Sequence, residues 1–240
     1  MLELKNISVA IDSKPILANL TFNCTVGCVV ACVGSNGSGK SSLLYTIMGN
    51  PMYEVTAGSI FYLGQDITHM PVDQRARLGI FLTFQQPYEI PGVLVSTLLK
   101  ESFRALCPGT SLDVYIDRLA QGAQLLGIER SMLDRAVHAG FSGGEKKKLE
   151  MLQAFIVRPK LLMLDELDSG LDVDARKVVG HTLATLKQLV PDMTLLIVTH
   201  HDTLFEYVTP DVVHVLAHGQ LQKSGDKKLL SEIQKSGYGK

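Results

Sequence analysis

Val29-Val30-Ala31-Cys32-Val33-Gly34-Ser35-Asn36-Gly37-Ser38-Gly39-Lys40-Ser41 passes from an apolar strand, through a glycine-rich turn, into a helix-like stretch. From Gly34 to Ser41 it fills every fixed position of the phosphate-binding loop, in the strand-to-helix context which that loop needs. The glycines let the backbone turn so that successive N–H groups point at phosphate oxygens, and the following helix adds the positive end of its dipole. Gly34, Ser35, Asn36, Gly37, Ser38 and Gly39 make the cradle, and Ser42 belongs to the same phosphate contacts. Lys40 is placed to neutralise β and γ phosphates, and Ser41 to offer a hydroxyl to Mg²⁺.

Working outward, residues 1–30 carry short alternations (Leu2, Leu4; Ile7, Val9, Ile11; Leu20, Phe22) that read as antiparallel strands, and 58–64 reads as another. Between about 93 and 140 the apolar spacing turns helical (Leu94, Leu98, Leu99, Phe103; Leu112, Ile116, Leu119, Ala123, Leu126), with no convincing strand. From Leu161 onward, apolar runs at 161–164, 195–198 and 212–216 alternate with a helix over about 173–189, the pattern of a parallel sheet with crossover helices.

Two further motifs carry chemistry. Leu161-Leu162-Met163-Leu164-Asp165-Glu166 is an apolar strand ending in two acids, which places both carboxylates at the edge where open α/β sheets bind ligands. Asp165 would hold Mg²⁺ and Glu166 would orient or deprotonate the attacking water. Phe141-Ser142-Gly143-Gly144-Glu145 opens an amphipathic stretch. Ser142 and Glu145 have capping-box spacing, and the same bare first turn at Gly143 and Gly144 can contact an anion; both readings hold together. The run Lys146-Lys147-Lys148 reads as a solvated face.

Taken together, the phosphate loop, Ser142-Gly143-Gly144-Glu145, Asp165-Glu166 and Ser169-Gly170-Leu171-Asp172 resemble the ABC-type ATPase domain over essentially the whole chain. The resemblance implies an α/β fold: an ABC-type nucleotide-binding domain with a RecA-like parallel-sheet core, an N-terminal antiparallel β subdomain and a helical subdomain at about 93–160, all in one domain spanning 1–240. It implies Mg²⁺-dependent ATP hydrolysis, with Gln85 as the loop glutamine that senses Mg²⁺ and the attacking water and His200 as the switch histidine at the γ-phosphate. It also implies a transient ATP-dependent dimer, in which Ser142, Gly143 and Gly144 of one copy close over ATP on the other. His201 takes no assignment.

Longer stretches are more selective. Phe84-Gln85-Gln86-Pro87-Tyr88-Glu89-Ile90-Pro91-Gly92-Val93, Phe141 through Lys148, Leu167 through Asp174 and the tail Lys235-Ser236-Gly237-Tyr238-Gly239 are similar to the ATPase family of the SUF iron–sulfur cluster assembly system, SufC. That likeness implies SufB and SufD scaffold proteins as partners, with the cluster built on the scaffold. A docking surface is expected near 88–106, with Ile90, Val93 and Leu94 as apolar contacts; their helix-like spacing equally suits a core-facing role. The chain departs from the wider family in two places. Ile11 aligns where most members stack an aromatic ring on adenine, and Phe141 and Glu145 replace the commoner Leu and Gln.

Composition limits the alternatives. The 240 residues carry 23 Lys plus Arg against 24 Asp plus Glu, a net charge of −1, which suits neither a nucleic-acid-wrapping protein nor a disordered acidic one. The longest apolar run, Cys28 through Val33, is far below the roughly 20 residues of a membrane span, so no direct insertion is expected. The opening Met1-Leu2-Glu3-Leu4-Lys5 shows no cationic leader, so a cytoplasmic setting is expected, with a plastid stroma as the alternative. Cys24, Cys28 and Cys32 recur every fourth residue and read as buried small hydrophobes. Two other classes use the same motifs: the ATPase subunit of an ABC transporter, and a nucleotide-dependent scaffold without turnover. A DNA-repair ATPase would need a coiled-coil insertion too long for this chain.

Overall fold

A computed structural model describes residues 1–200 and 203–236, with side chains up to 233. The strands are β1 (Leu2–Ile11), β2 (Lys14–Cys24), β3 (Val29–Val33), β4 (Glu54–Tyr62), β5 (Gln65–Asp66), β6 (Ile80–Thr83), β7 (Ile90–Leu94), β8 (Ala136–Val137), β9 (Leu161–Asp165), β10 (Thr194–Thr199), β11 (Val212–Ala217) and β12 (Gln220–Gly225). The helices are α1 (Lys40–Met48), α2 (Val72–Arg77), α3 (Val95–Leu106), α4 (Leu112–Leu126), α5 (Arg130–Leu133), α6 (Gly143–Val157), α7 (Val173–Leu189) and α8 (Lys228–Ser236).

The main sheet has the order β12-β11-β3-β10-β9-β6, parallel except for the β11–β12 hairpin. Its strands are apolar without interruption because both faces are covered. Successive side chains divide between two cores: Leu162, Leu164, Leu195 and Ile197 face the layer that includes α6 and α7, while Leu161, Met163, Leu196 and Val198 face α1 and the antiparallel sheet β2-β1-β4-β5. Parallel pairing brings the carboxyl ends of β3, β6, β9 and β10 to one edge, so the phosphate loop, Gln85, Asp165-Glu166 and His200 all leave the sheet on the same side. The structure thus has the α/β architecture expected of the sequence.

Two expectations need correction. The stretch read as purely helical also contains the β7–β8 ribbon, which rests on only two register pairs, Ile90↔Val137 and Leu94↔Ala136, with a shift between them. So short and irregular a ladder, interrupted by Pro91 and Gly92, leaves no period-2 signal. Lys147 is buried rather than solvated, because on α6 it shares a face with Glu150 and Met151, which point into the protein.

Cys24, Cys28 and Cys32 lie in the core beneath the antiparallel sheet. Burial pushes the Cys32 thiol up to about 12, whereas hydrogen bonds from Cys24 and Thr25 pull Cys28 down to about 6.

Arg75 was not singled out by the sequence, yet it is almost fully buried and ties α1 to α2. Its guanidinium donates to the carbonyls of Thr46 (2.9 Å), Ile47 (2.8 Å), Thr68 (2.9 Å) and Met70 (2.7 Å). Thr46 and Ile47 lie in the last turn of α1, where a cation also meets the negative end of the helix dipole; the Thr46 carbonyl accepts the Gly49 N–H as well, at 3.0 Å. Arg75→Met strips several buried acceptors of their donor, at about 1–3 kcal/mol each, so a loss of about 3 kcal/mol or more is expected in urea denaturation. An unchanged midpoint would contradict this role.

Candidate active site

The phosphate loop is shaped by close approach as well as by turning. A Cβ on Gly34 would stand 2.2 Å from the Leu216 carbonyl oxygen and 2.7 Å from Ser38 Oγ, and Gly39 adopts φ +102 against the Leu17 side chain. Lys40 Nζ lies within the loop, donating to the carbonyls of Gly34 (2.9 Å) and Ser35 (3.0 Å). A cavity of about 430 Å³ opens over the loop, lined by Ile16, Asn36, Gly37, Gly39, Lys40, Ser41, Ser42, Gln85 and Glu166. Ile11 is not among these residues. The apolar side chain at this cavity is Ile16, five positions on.

Ser41 Oγ donates to Asp165 Oδ1 at 2.8 Å. Asp165 is fully buried, its Oδ2 has no hydrogen-bond partner, and burial pushes its carboxyl up to about 6. A buried carboxylate oxygen without a donor, beside a hydroxyl and one residue from a second acid, is a donor set that suits a hard divalent cation such as Mg²⁺. Gln85, the third expected metal residue, lines the same cavity.

Gln85, Glu166 and His200 come together. Gln85 Nε2 donates to Glu166 Oε2 at 2.6 Å, and His200 Nδ1 lies 3.2 Å from Glu166 Oε1, so both carboxylate oxygens are engaged. Glu166 sits at φ +46, a region unfavourable for a residue with a side chain, and its N–H is tied to the Val198 carbonyl at 2.9 Å. Such backbone strain costs about 1–3 kcal/mol and concentrates at functional sites.

Ser142 caps α6 as its spacing predicts: its Oγ accepts from the Glu145 N–H (3.2 Å), and its own N–H donates to Glu145 Oε2 (2.7 Å). These capping bonds hold the Glu145 carboxyl below its usual range. Ser142, Gly143 and Gly144 do not line the phosphate-loop cavity; Gly143 lines a neighbouring one with Gln85, Tyr88, Ser169 and Gly170.

Sequence reasoning missed how α6 grips the Gln85 segment. Lys147 Nζ donates to the carbonyls of Phe84 (3.1 Å) and Glu166 (3.3 Å), and Glu150 Oε2 accepts the Phe84 N–H at 3.0 Å. Burial lowers the Lys147 pKa. The only available signal was position: both residues fall on the apolar face of α6.

A model of the ABC transporter family matches residues 17–169. A probable ABC transporter ATP-binding protein of Streptococcus pyogenes is 42% identical, covering 99% of this chain and 93% of its own. A probable ATP-dependent transporter of Synechocystis is 39% identical, at 99% and 94% coverage, and vegetative protein 296 of Bacillus subtilis is 40% identical, at 99% and 91%. Among solved structures, the ATP-binding subunit of an ABC transporter superposes with a TM-score of 0.82 at 26% identity, covering 98% of this chain and 92% of its own. A bacterial ABC transporter cassette solved as a dimer matches in fold, with a TM-score of 0.80 at 19% identity, covering 95% and 99%. Among the described residues, no helix is long and apolar enough to cross a membrane. Family match, full-length relatives and the shared cassette fold agree with the phosphate loop and the acid pair: this chain belongs to the ABC transporter family, as one of its ATP-hydrolysing domains.

Proposed function

We propose that this ATPase serves SUF-type iron–sulfur cluster assembly, converting ATP binding and hydrolysis into a shape change of a SufB/SufD scaffold. The observation that carries the reading is the 84–93 stretch, which resembles that family. Its first residues hold Gln85 in the site, while Tyr88, Ile90 and Leu94 stand exposed a few positions on. Val93 is half-buried against the core, so it serves packing; the contact surface is built on Tyr88, Ile90 and Leu94.

In this reading ATP lies over Gly34–Ser42, with Lys40 on its phosphates and Ile16 against the base. Ser41, Asp165 and Gln85 hold Mg²⁺, which when bound offsets phosphate charge. Glu166 takes the proton of the attacking water, positioned by Gln85, and His200 contacts the γ-phosphate. Ser142, Gly143 and Gly144 complete the site on a second copy, which accords with their absence from the lining of their own chain's phosphate-loop cavity. A soluble setting, cytoplasm or stroma, goes with these partners.

The relatives' names favour a second reading, in which the same ATPase serves a membrane transporter. Pull-down with SufB and SufD separates the two. Wild type is expected to retain the scaffold, and Ile90→Asp with Leu94→Asp to lose it. No retention by the wild type, or full retention by the double variant, would count against the SUF reading or the surface, respectively.

Ile11 aligns where a ring would stack and Ile16 lines the cavity, so the base meets apolar side chains only. Base–aromatic stacking is worth about 1–3 kcal/mol, so its absence weakens discrimination between bases. Comparable dissociation constants for ATP and GTP are expected by calorimetry; a strong ATP preference would show that another group reads the base.

A further inference from the structure

We propose that Glu150 and His138 are positioning residues for Gln85: they hold both ends of the 84–88 segment against α6 and the turn after β8, and so set where the Gln85 amide meets Glu166. The inference rests on the role given to Gln85 above.

At one end, Glu150 Oε2 accepts the N–H of Phe84, the residue before Gln85, at 3.0 Å. At the other, His138 Nδ1 lies 2.8 Å from the carbonyl oxygen of Tyr88. A carbonyl only accepts, so Nδ1 carries the hydrogen, and in a neutral ring Nε2 is left with a bare lone pair. That Nε2 is buried without a hydrogen bond and points at Glu150 Oε1, 4.0 Å away. Two buried acceptors facing one another repel, and a single proton between them removes the repulsion. The pair is therefore least strained, and the segment best held, when one of the two groups carries a proton.

The surroundings set where that proton is lost. Burial pushes the Glu150 carboxyl up to about 7 and the His138 ring down. Lys147 and Gln153 face Glu150 from α6, and Tyr45 faces it from α1. Lys146 and Glu89, themselves paired at 3.5 Å, face His138 from α6 and from the segment. Because the Glu150 pKa is raised on folding, the folded chain binds this proton more tightly than the unfolded one. Its stabilising contribution is present at acid pH and is lost as pH rises through about 7.

The test is ATP turnover by the full chain across the neutral pH range, for wild type, Glu150→Gln, His138→Asn, Gln85→Ala and the doubles with Gln85→Ala. Asn tolerates the left-handed backbone of His138, φ +61. His138→Asn is expected to lower kcat about tenfold, with little change in KM for Mg-ATP, and to slow Gln85→Ala no further, as coupled residues should; Glu150→Gln, whose amide offers Phe84 an acceptor and His138 Nε2 a donor at every pH, is expected to hold the acid-side kcat across the range. The neutral-range step of the wild-type pH profile should disappear in both. Losses that multiply with Gln85→Ala, or wild-type kcat and pH profile in both variants while Gln85→Ala is slow, overturn the inference alone. A wild-type rate for Gln85→Ala overturns the role of Gln85 and the inference with it. If Glu150→Gln fails to fold, His138→Asn carries the same comparison.

Discussion

Glu166→Gln is expected to slow ATP turnover by about 10²- to 10³-fold, the usual cost of losing one charge-stabilising group at a reacting centre, while ATP stays bound. The amide keeps the shape of the carboxylate and can still meet the Gln85 amide and the His200 ring, which flank Glu166 at 2.6 and 3.2 Å. What it loses is the capacity to take a proton from water. Since phosphate binding belongs to a different loop, the variant should trap ATP and accumulate the closed dimer, seen as an earlier elution in gel filtration with ATP. A wild-type rate would show that Glu166 is not the base.

Lys40→Ala acts on the other half of the site. The Lys40 ammonium is buried within the loop, and a charge-assisted hydrogen bond is worth about 1.5–3 kcal/mol, so ATP affinity should fall by about 10- to 100-fold on titration with a fluorescent nucleotide. Its contacts with the Gly34 and Ser35 carbonyls add a structural share: with the ammonium gone, the loop loses an internal strut even without nucleotide. An unchanged affinity would mean that the backbone N–H groups alone hold the phosphates.

What could be read in the sequence was whatever local pattern dictates. The apolar runs at β3, β9 and β10 are continuous because both faces are buried, and chemistry-bearing residues at their carboxyl ends were visible as motifs. The Ser142 cap was legible for the same reason, since both partners lie within four residues. Residues whose roles depend on distant packing were not. Lys147 and Glu150 look like solvated charges until α6 is docked, His138 gains its partners only when β8 pairs with β7, and Arg75 finds two of its four carbonyls on α1, 28 and 29 residues away.

The most direct test of the central claim is the ATP turnover rate measured with and without purified SufB and SufD, for wild type and Glu166→Gln in parallel. Clear stimulation of the wild type by the scaffold, abolished in the variant, is the expected result. A normal basal rate that the scaffold leaves unchanged would contradict the claim and assign the ATPase to a transporter instead.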